Sequence, residues 1–370
     1  MKKSEIITDD LAGKTVYHVL RYHMGMSGKL LKKLRDAGLI YVNNTPVRTT
    51  FIVDLGDIVG FDESALNENS DYISAEDTSL DIIYEDDYFI AINKPSNIVV
   101  HPTALHQQHT IANGLVYYYQ KNNIQAKIHP ISRLDRDTTG VILFAKDKYT
   151  VHLVSNIQRT HGFQKEYLGI VAGSVIPNAG IIDLPIARMA DTIMLRHITC
   201  AGQPSRTYYR TLLESSGKSL LLLYPLTGRT HQLRVHLAAL GHPLLGDGLY
   251  HPGYAAASSA CVRQPEMPPE QAQLAKEDEA EWQQTEQEQL TLSKPTQGQM
   301  VQGSETSEQP ALDQISLDRE TPVLSAQGQL LHSHRLTFCH PHSLQNITIE
   351  APLPVRFMQE LRTFRVPDLN

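Results

Sequence analysis

Two hydrophobic periods alternate along the chain, and their order sets the expected architecture. Near residue 30, GKLLKKLRDAGLIYVNN starts with Leu30, Leu31 and Leu34 at helical spacing, surrounded by Lys29, Lys32, Lys33 and Arg35, and stops at Gly38. IYVNNTPV then reads as strand, Asn-Asn turn and strand, and VDLGDIVGFD as a second turn and short strand. Residues 13–62 thus form the body of a small N-terminal domain assigned to 1–62. Residues 63–80 (ESALNENSDYISAEDTSL) are polar and read as a linker. From 81 to 250 strands and helices alternate. DYFIAINKP is a strand ended by Pro95, TIANGLVYYYQKNN a helix capped by Thr110, and GVILFAK a buried strand. YTVHLVSNIQRTHG is a helix ending near Gly162, and KEYLGIVAGSV and SLLLLYPL are strands. THQLRVHLAALG is a helix with Leu233, Leu237 and Leu240 at core spacing, stopped by Gly241. The pattern predicts an α+β fold.

Residues 255–330 break that pattern. They hold fourteen Gln and thirteen acidic residues with few aromatics, a composition that buries too little apolar surface to offset ordering entropy. Disorder is expected, with a short helix in QAQLAKEDEAEW. Regular structure resumes with the strand-like LLHSHRLTFCHP and a closing helix, PVRFMQELRTF. The same segment changes the meaning of the charge. The whole chain carries −7, but 255–330 alone has four basic residues against thirteen acidic, a net −9, leaving +2 elsewhere. Overall acidity therefore does not exclude a nucleic-acid partner. No apolar run approaches the length of a membrane span, and MKKSEIITDD lacks the apolar core of a secretory signal. The three cysteines, Cys200, Cys261 and Cys339, are far apart and form neither a disulfide framework nor a CxxC pair, so a reducing cytoplasm is the expected setting.

Candidate chemistry concentrates in three places. In ISRLDRDTTGVILFAK, Arg133 and Arg136 flank Asp135 just before the buried strand. A guanidinium within a few ångström favours the charged form of a carboxylate, and a positioned carboxylate can act as nucleophile or base. On composition alone a surface ion-pair cluster is the commoner outcome, but the following strand pins the loop. In PLTGRTHQLRVHLAALGHPLLGD, Arg229 at a turn and Arg234 on the helix suggest an anion site, against the alternative of arginines paired with carboxylates. His231, His236 and His242 do not line one helical face, so satisfied or solvent-facing histidine outranks metal binding, and the loop histidines His101, His106 and His109 read likewise. Tyr167 in QKEYLGIVAG is ordinary half-buried packing unless a flat ligand lies beside it. No GxxxxGK[ST], GxGxxG after a strand, or HExxH is present.

Four blocks in order give the chain a family resemblance: FIAINKPSNIVVHP, ISRLDRDTTGVILFAK, KEYLGIVAG and LTGRTHQLRVHLAALGHPLLGDGLY, with a weaker fifth in LLHSHRLTFCHP and APLP. Together they resemble the RluA-type RNA pseudouridine synthases over about 81–254 and 331–365. The N-terminal domain resembles the small RNA-binding domain of S-four type. Ser132 stands where the family usually has His, and Thr139 where it has Ser. The resemblance implies a mixed, mainly antiparallel sheet with a central cleft, split between 81–254 and 331–370, and an isomerase that converts uridine in RNA to pseudouridine. It implies that Asp135 is the catalytic carboxylate, that Arg234 pairs with it, and that Tyr167 stacks on the target base and assists the final proton removal. Arg133 would fill the space of a flipped-out nucleotide, and Arg136 and Arg229 would meet the RNA, with Lys29, Lys32, Lys33 and Arg35 contacting it from the N-terminal domain. No metal or cofactor is implied, because substrate and product are isomers. A monomer acting on ribosomal RNA, with transfer RNA as the alternative, completes the expectation. The rivals are a non-catalytic RNA binder with a degenerate synthase domain, and a glycoside hydrolase using Asp137 as the second carboxylate.

Overall fold

The computed structural model describes residues 2–63, 73–103, 106–159, 162–190, 192, 194–250 and 328–364. The helix suggested in QAQLAKEDEAEW, and residues 255–327 of the acidic segment, lie outside them.

The N-terminal domain is a four-stranded sheet in the order β1 (Lys2–Ile6), β4 (Ile58–Asp62), β2 (Ile40–Val42), β3 (Thr45–Pro46). The turn between β2 and β3 is the Asn-Asn pair. Asn43 and Asn44 have φ of 49° and 64°, the left-handed backbone that asparagine tolerates and that a tight hairpin requires. A short α1 (Val16–His18) runs into a π-helical stretch, Val19–His23, before α2 (Gly28–Asp36). Ser27 caps α2 by accepting from the Leu30 N–H, and Leu30, Leu31 and Leu34 turn inward as their spacing requires. Residues before 13 belong to this domain as well, since β1 pairs along the whole of β4.

The second body is a ten-stranded sheet. Its main path is β10 (Ala179–Asp183), β13 (Arg206–Ser215), β14 (Lys218–Pro225), β9 (Phe163–Ala172), β15 (Leu331–Cys339), β8 (Thr139–Ala145), β6 (Phe89–Lys94), β5 (Ile82–Glu85). β7 (His129–Pro130) joins β8 and β16 (Asn346–Glu350) joins β15. Every pairing is antiparallel except β15 with β8, so the sheet is mixed and mainly antiparallel. A separate hairpin, β11 (Ile186–Arg188) with β12 (Arg196–Ile198), stands beside it. Layers cover both faces. α3 (Ile111–Lys121) and α5 (Gln232–Ala239) pack with Ile90, Ile92, Ile142 and Phe144 on one side. Phe89, Ala91, Val141 and Leu143 pack with Val154 of α4 (Lys148–Arg159) on the other. A strand buried on both faces carries no polar alternation, which is why VILFA is unbroken. α6 (Val355–Leu361) closes the described chain. Thr110 caps α3 in a reciprocal capping box with Asn113.

Two boundaries differ from expectation. Residues 328–330, at the end of the range expected to be disordered, are ordered. Gln329 and Leu330 are buried, and the Gln329 amide donates to Thr138 Oγ1 at 2.9 Å. Within 63–80, Glu63 and Ile73 are buried. Glu63 sits where the two bodies meet, accepting from the Tyr149 N–H at 3.1 Å, while Lys3 donates to Asp147 at 2.6 Å and the Tyr149 hydroxyl donates to the Met24 carbonyl. Burial, with the Asp147 charge adding to it, pushes the Glu63 carboxyl up to about 7. Among the described residues no helix is long and apolar enough to cross a membrane.

Candidate active site

The charged loop lies at the mouth of β8, in the middle of the sheet. Leu134 anchors it in the core, Asp135 O accepts from the Thr138 N–H at 3.2 Å, and the loop enters β8 at Thr139, with Gly140 next. Gly140 has φ 103°, and a β-carbon there would lie 2.1 Å from the Ser333 carbonyl oxygen, so only glycine permits β15 to run this close. Gly140, Ser333 and Tyr167 form one row across β8, β15 and β9. Lys94, buried at the end of β6, holds the loop from below. Its ammonium donates to the carbonyls of Pro95, Ile98 and Arg136 at 2.8, 2.9 and 2.7 Å. Burial pulls this ammonium down to about 7, while the nearby Asp137 and Asp135 charges act the other way.

Asp135 is paired by Arg234. Arg234 Nη1 donates to Asp135 Oδ2 at 3.2 Å, while its Nε and Nη2 donate to Asp247 Oδ2 and Oδ1 at 2.8 and 2.7 Å. The Asp247 side chain is fully buried and also accepts the N–H groups of Leu249 and Tyr250. Burial raises its carboxyl, but Arg234 and those N–H groups outweigh burial and hold it below the ordinary carboxylate range. Burial likewise opposes the Arg234 charge, and the two carboxylates more than compensate. A fork bound by two donors on one side has a fixed plane, so the third donor is aimed. Arg234 stands over the Tyr250 ring at 5.2 Å, and His231 Nε2 lies 3.9 Å from Asp135 Oδ1.

All eight residues of α5 are buried, and its polar members each have a partner. Gln232 accepts from Thr227 and the Arg229 N–H and donates to Arg206 O and Thr207, stapling the turn before the helix to β13. His236 bonds Thr207 and Leu184 O, and burial pulls it down to about 4. Tyr167 is buried and hydrogen-bonded to Ser333. Burial pushes its phenol up to about 12, against the Ser333 bond, with the Asp135 charge adding to the rise.

The remaining candidates fall as follows. Arg136 does not face Asp135. Arg136 and Asp137 are the central residues of the turn closed by the Thr138 N–H on Asp135 O, and they pair there at 3.2 Å, which engages the second carboxylate of the hydrolase alternative. Arg133 is exposed beside His101, whose ring burial and the Arg133 charge hold below the ordinary value. Arg229 is exposed with Nε donating to Pro204 O at 3.1 Å. The anion site expected from Arg229 and Arg234 together does not form, since Arg234 is taken by two carboxylates. Lys29, Lys32, Lys33 and Arg35 are exposed on α2, with Arg35 paired to Asp36. Sequence reasoning gave no role to Lys94, His231, Asp247 or Tyr250. The Gly-Asp turn in GHPLLGD was the signal available for Asp247.

Residues 88–239 match the family model for RNA pseudouridylate synthase. A Bacillus subtilis protein described as uncharacterized RNA pseudouridine synthase YjbO is 35% identical over 230 residues, 61% of this chain and 80% of that one. The chain belongs to the RNA pseudouridine synthases. Within that family it is an RluA-type member. Ribosomal large subunit pseudouridine synthase D of Haemophilus ducreyi is 41% identical over 172 residues, 46% of this chain and 52% of that one. Human RNA pseudouridylate synthase domain containing 4 is a solved structure at 24% identity and TM-score 0.49, covering 76% of this chain and 91% of its own. As a pseudouridine synthase, the protein acts on uridine in RNA. The matched span holds Asp135, Tyr167 and Arg234, and ends before Asp247 and β15.

Proposed function

We propose that this enzyme isomerises uridine in ribosomal RNA with Asp135 as its catalytic carboxylate and without a cofactor. The observation that carries this is the aimed Arg234, fixed on buried Asp247 and donating to the partly exposed Asp135. A carboxylate held in one place by a preorganised cation is what an attack on a sugar needs. Asp135 acts directly on the ribose. The N1–C1′ bond breaks, the uracil turns within the site, and a C5–C1′ bond forms. The proton leaves C5 and N1 gains one, so no co-reactant is consumed.

Tyr167 supplies a ring for the flipped base and assists the C5 proton's departure. Its phenol is protonated at neutral pH, so it enters the cycle as a hydrogen-bonded neutral group. Exposed Arg133 takes the place of the extruded nucleotide, and Arg136 and Arg229 meet phosphates. Lys29, Lys32, Lys33 and Arg35 give the N-terminal domain a basic helix face for the RNA backbone. Ribosomal RNA is favoured over transfer RNA by the name of the large-subunit relatives.

A pseudouridine map of total RNA, from cells carrying wild-type protein or Asp135→Ala, tests the reading. Loss of one or a few carbodiimide stops in the variant, in large-subunit RNA, is the expected result. Stops lost from transfer RNA instead would correct the substrate. Identical maps with both proteins expressed and folded would overturn the role of Asp135.

A further inference from the structure

His231 stands outside the residues given a role above. It precedes α5 with φ 57° and ψ 19°, a left-handed backbone that is strained for a residue with a β-carbon, and no side-chain capping bond accompanies it. Such a conformation persists where the surroundings over-determine it. Here they fix the ring as well. The fully buried Tyr250 hydroxyl lies 2.8 Å from His231 Nδ1 and accepts the Arg196 N–H at 2.9 Å. A phenol has one proton to give, and Nδ1 is positioned to accept it. When the phenol donates to Nδ1, the imidazole carries its own proton on Nε2. Burial favours that neutral ring over the imidazolium; the Arg234 and Arg196 charges act with burial, and the Asp135 and Asp247 charges against it.

The Nε2–H faces Asp135 Oδ1 across 3.9 Å, while Oδ2 takes Arg234. That distance is too long for a direct hydrogen bond and suits one oxygen shared by both. The shared oxygen must accept from Nε2–H and donate to Oδ1. A carbonyl or phosphodiester oxygen has no proton to donate, whereas a hydroxyl does both. If Asp135 acts on the ribose, C1′ is at the carboxylate, and the hydroxyl on the adjoining carbon is the 2′-OH.

We propose that His231 and Asp135 together bind the 2′-hydroxyl of the target uridine, so that His231 sets the sugar against the carboxylate and makes the site selective for ribose over deoxyribose. This rests on the uridine-isomerising role of Asp135. His231 touches the substrate but exchanges no proton with it.

The test crosses an enzyme change with a substrate change. A target RNA is assembled by ligation with either uridine or 2′-deoxyuridine at the one position fixed by the pseudouridine map. Single-turnover rates are measured for wild type, His231→Asn, which keeps a residue tolerant of left-handed backbone, and Tyr250→Phe, which removes the hydroxyl that meets both Nδ1 and the Arg196 N–H. Removing a partner of one hydrogen bond is expected to slow the wild type on the deoxy substrate, and His231→Asn on the ribose substrate, each by roughly tenfold. Combining the two should cost little more than either alone, and Tyr250→Phe should show the same pattern more weakly. Losses that multiply in both variants would overturn the inference, since a purely structural role lowers both substrates equally. A wild type that makes no pseudouridine in either RNA would instead sink the parent reading.

Discussion

At the residue scale the site is organised by one guanidinium with two tasks. Arg234 spends two donors on Asp247 and one on Asp135, so its position is set from a side that never meets substrate. Removing one partner of a buried pair leaves an uncompensated charge, which costs about 3–5 kcal/mol. Asp247→Asn is therefore expected to lower the unfolding free energy measured in urea by that order and to slow turnover, although residue 247 lies outside the reacting groups. Replacing both partners by apolar residues (Arg234→Met with Asp247→Leu) should recover much of the stability and none of the activity. Equal recovery of both would mean that aiming Asp135 is not the pair's role. The paired Asp135 could be anticipated only through family resemblance, because its partner is 99 positions away. Local spacing offered Arg133 and Arg136 alike, and Arg136 turns instead to Asp137.

At the element scale, what could be read in the sequence is what local chemistry decides. The Asn-Asn turn, the Thr110 cap, the inward leucines of α2 and the double-faced burial of β8 all follow from residues a few positions apart. β15 does not. It returns after the acidic segment and enters between β8 and β9, supplying Ser333 to the row with Gly140 and Tyr167, and nothing in LLHSHRLTFC announces that neighbourhood. α5 was legible as a helix but not as one buried all round, since its arginine, histidine and glutamine find partners on distant strands and turns. The junction between the two bodies was hidden in the same way. Glu63 looked like the start of a polar linker and is a buried carboxyl whose folded value is raised from its ordinary 4.5 to about 7. Between those values the folded state binds more protons than the unfolded chain, so this group's contribution to stability is full below about 4.5 and is lost as pH rises through 7. Asp147 is held below its ordinary value and stays charged across that window. Glu63→Gln keeps the shape and removes the titration. It is expected to raise stability at pH 8 by on the order of 1–3 kcal/mol and to flatten the pH dependence between 5 and 8. Parallel stability curves for variant and wild type would show that the buried carboxyl does not titrate there.

At the scale of the whole molecule, the charge of the chain and the charge it carries outside residues 255–327 have opposite signs. The segment 255–327 carries the net −9, and the rest carries +2. The chain comes back beside the point it left, for Leu330 N–H donates to Leu245 O at 2.8 Å and Arg356 donates to Gly328 O. A short Gly/Ser linker can therefore replace 255–327, provided the cut stops before the buried Gln329 and Leu330. Closing a shorter loop changes stability by little, since the entropy of closure varies only with the logarithm of length. Catalysis by the deleted protein is expected to equal that of the full chain, because Asp135, Tyr167, Arg234, Asp247 and Ser333 are untouched. RNA binding is expected to differ. A tethered block of negative charge competes with phosphates for the same basic groups, and its removal should tighten binding at about 50 mM salt, with the gain fading by about 300 mM as screening shortens. A salt titration of both proteins on one RNA decides the matter. If affinity is unchanged or weaker at every salt concentration, the acidic segment does not compete with RNA, and the overall −7 has no bearing on how this synthase meets its substrate.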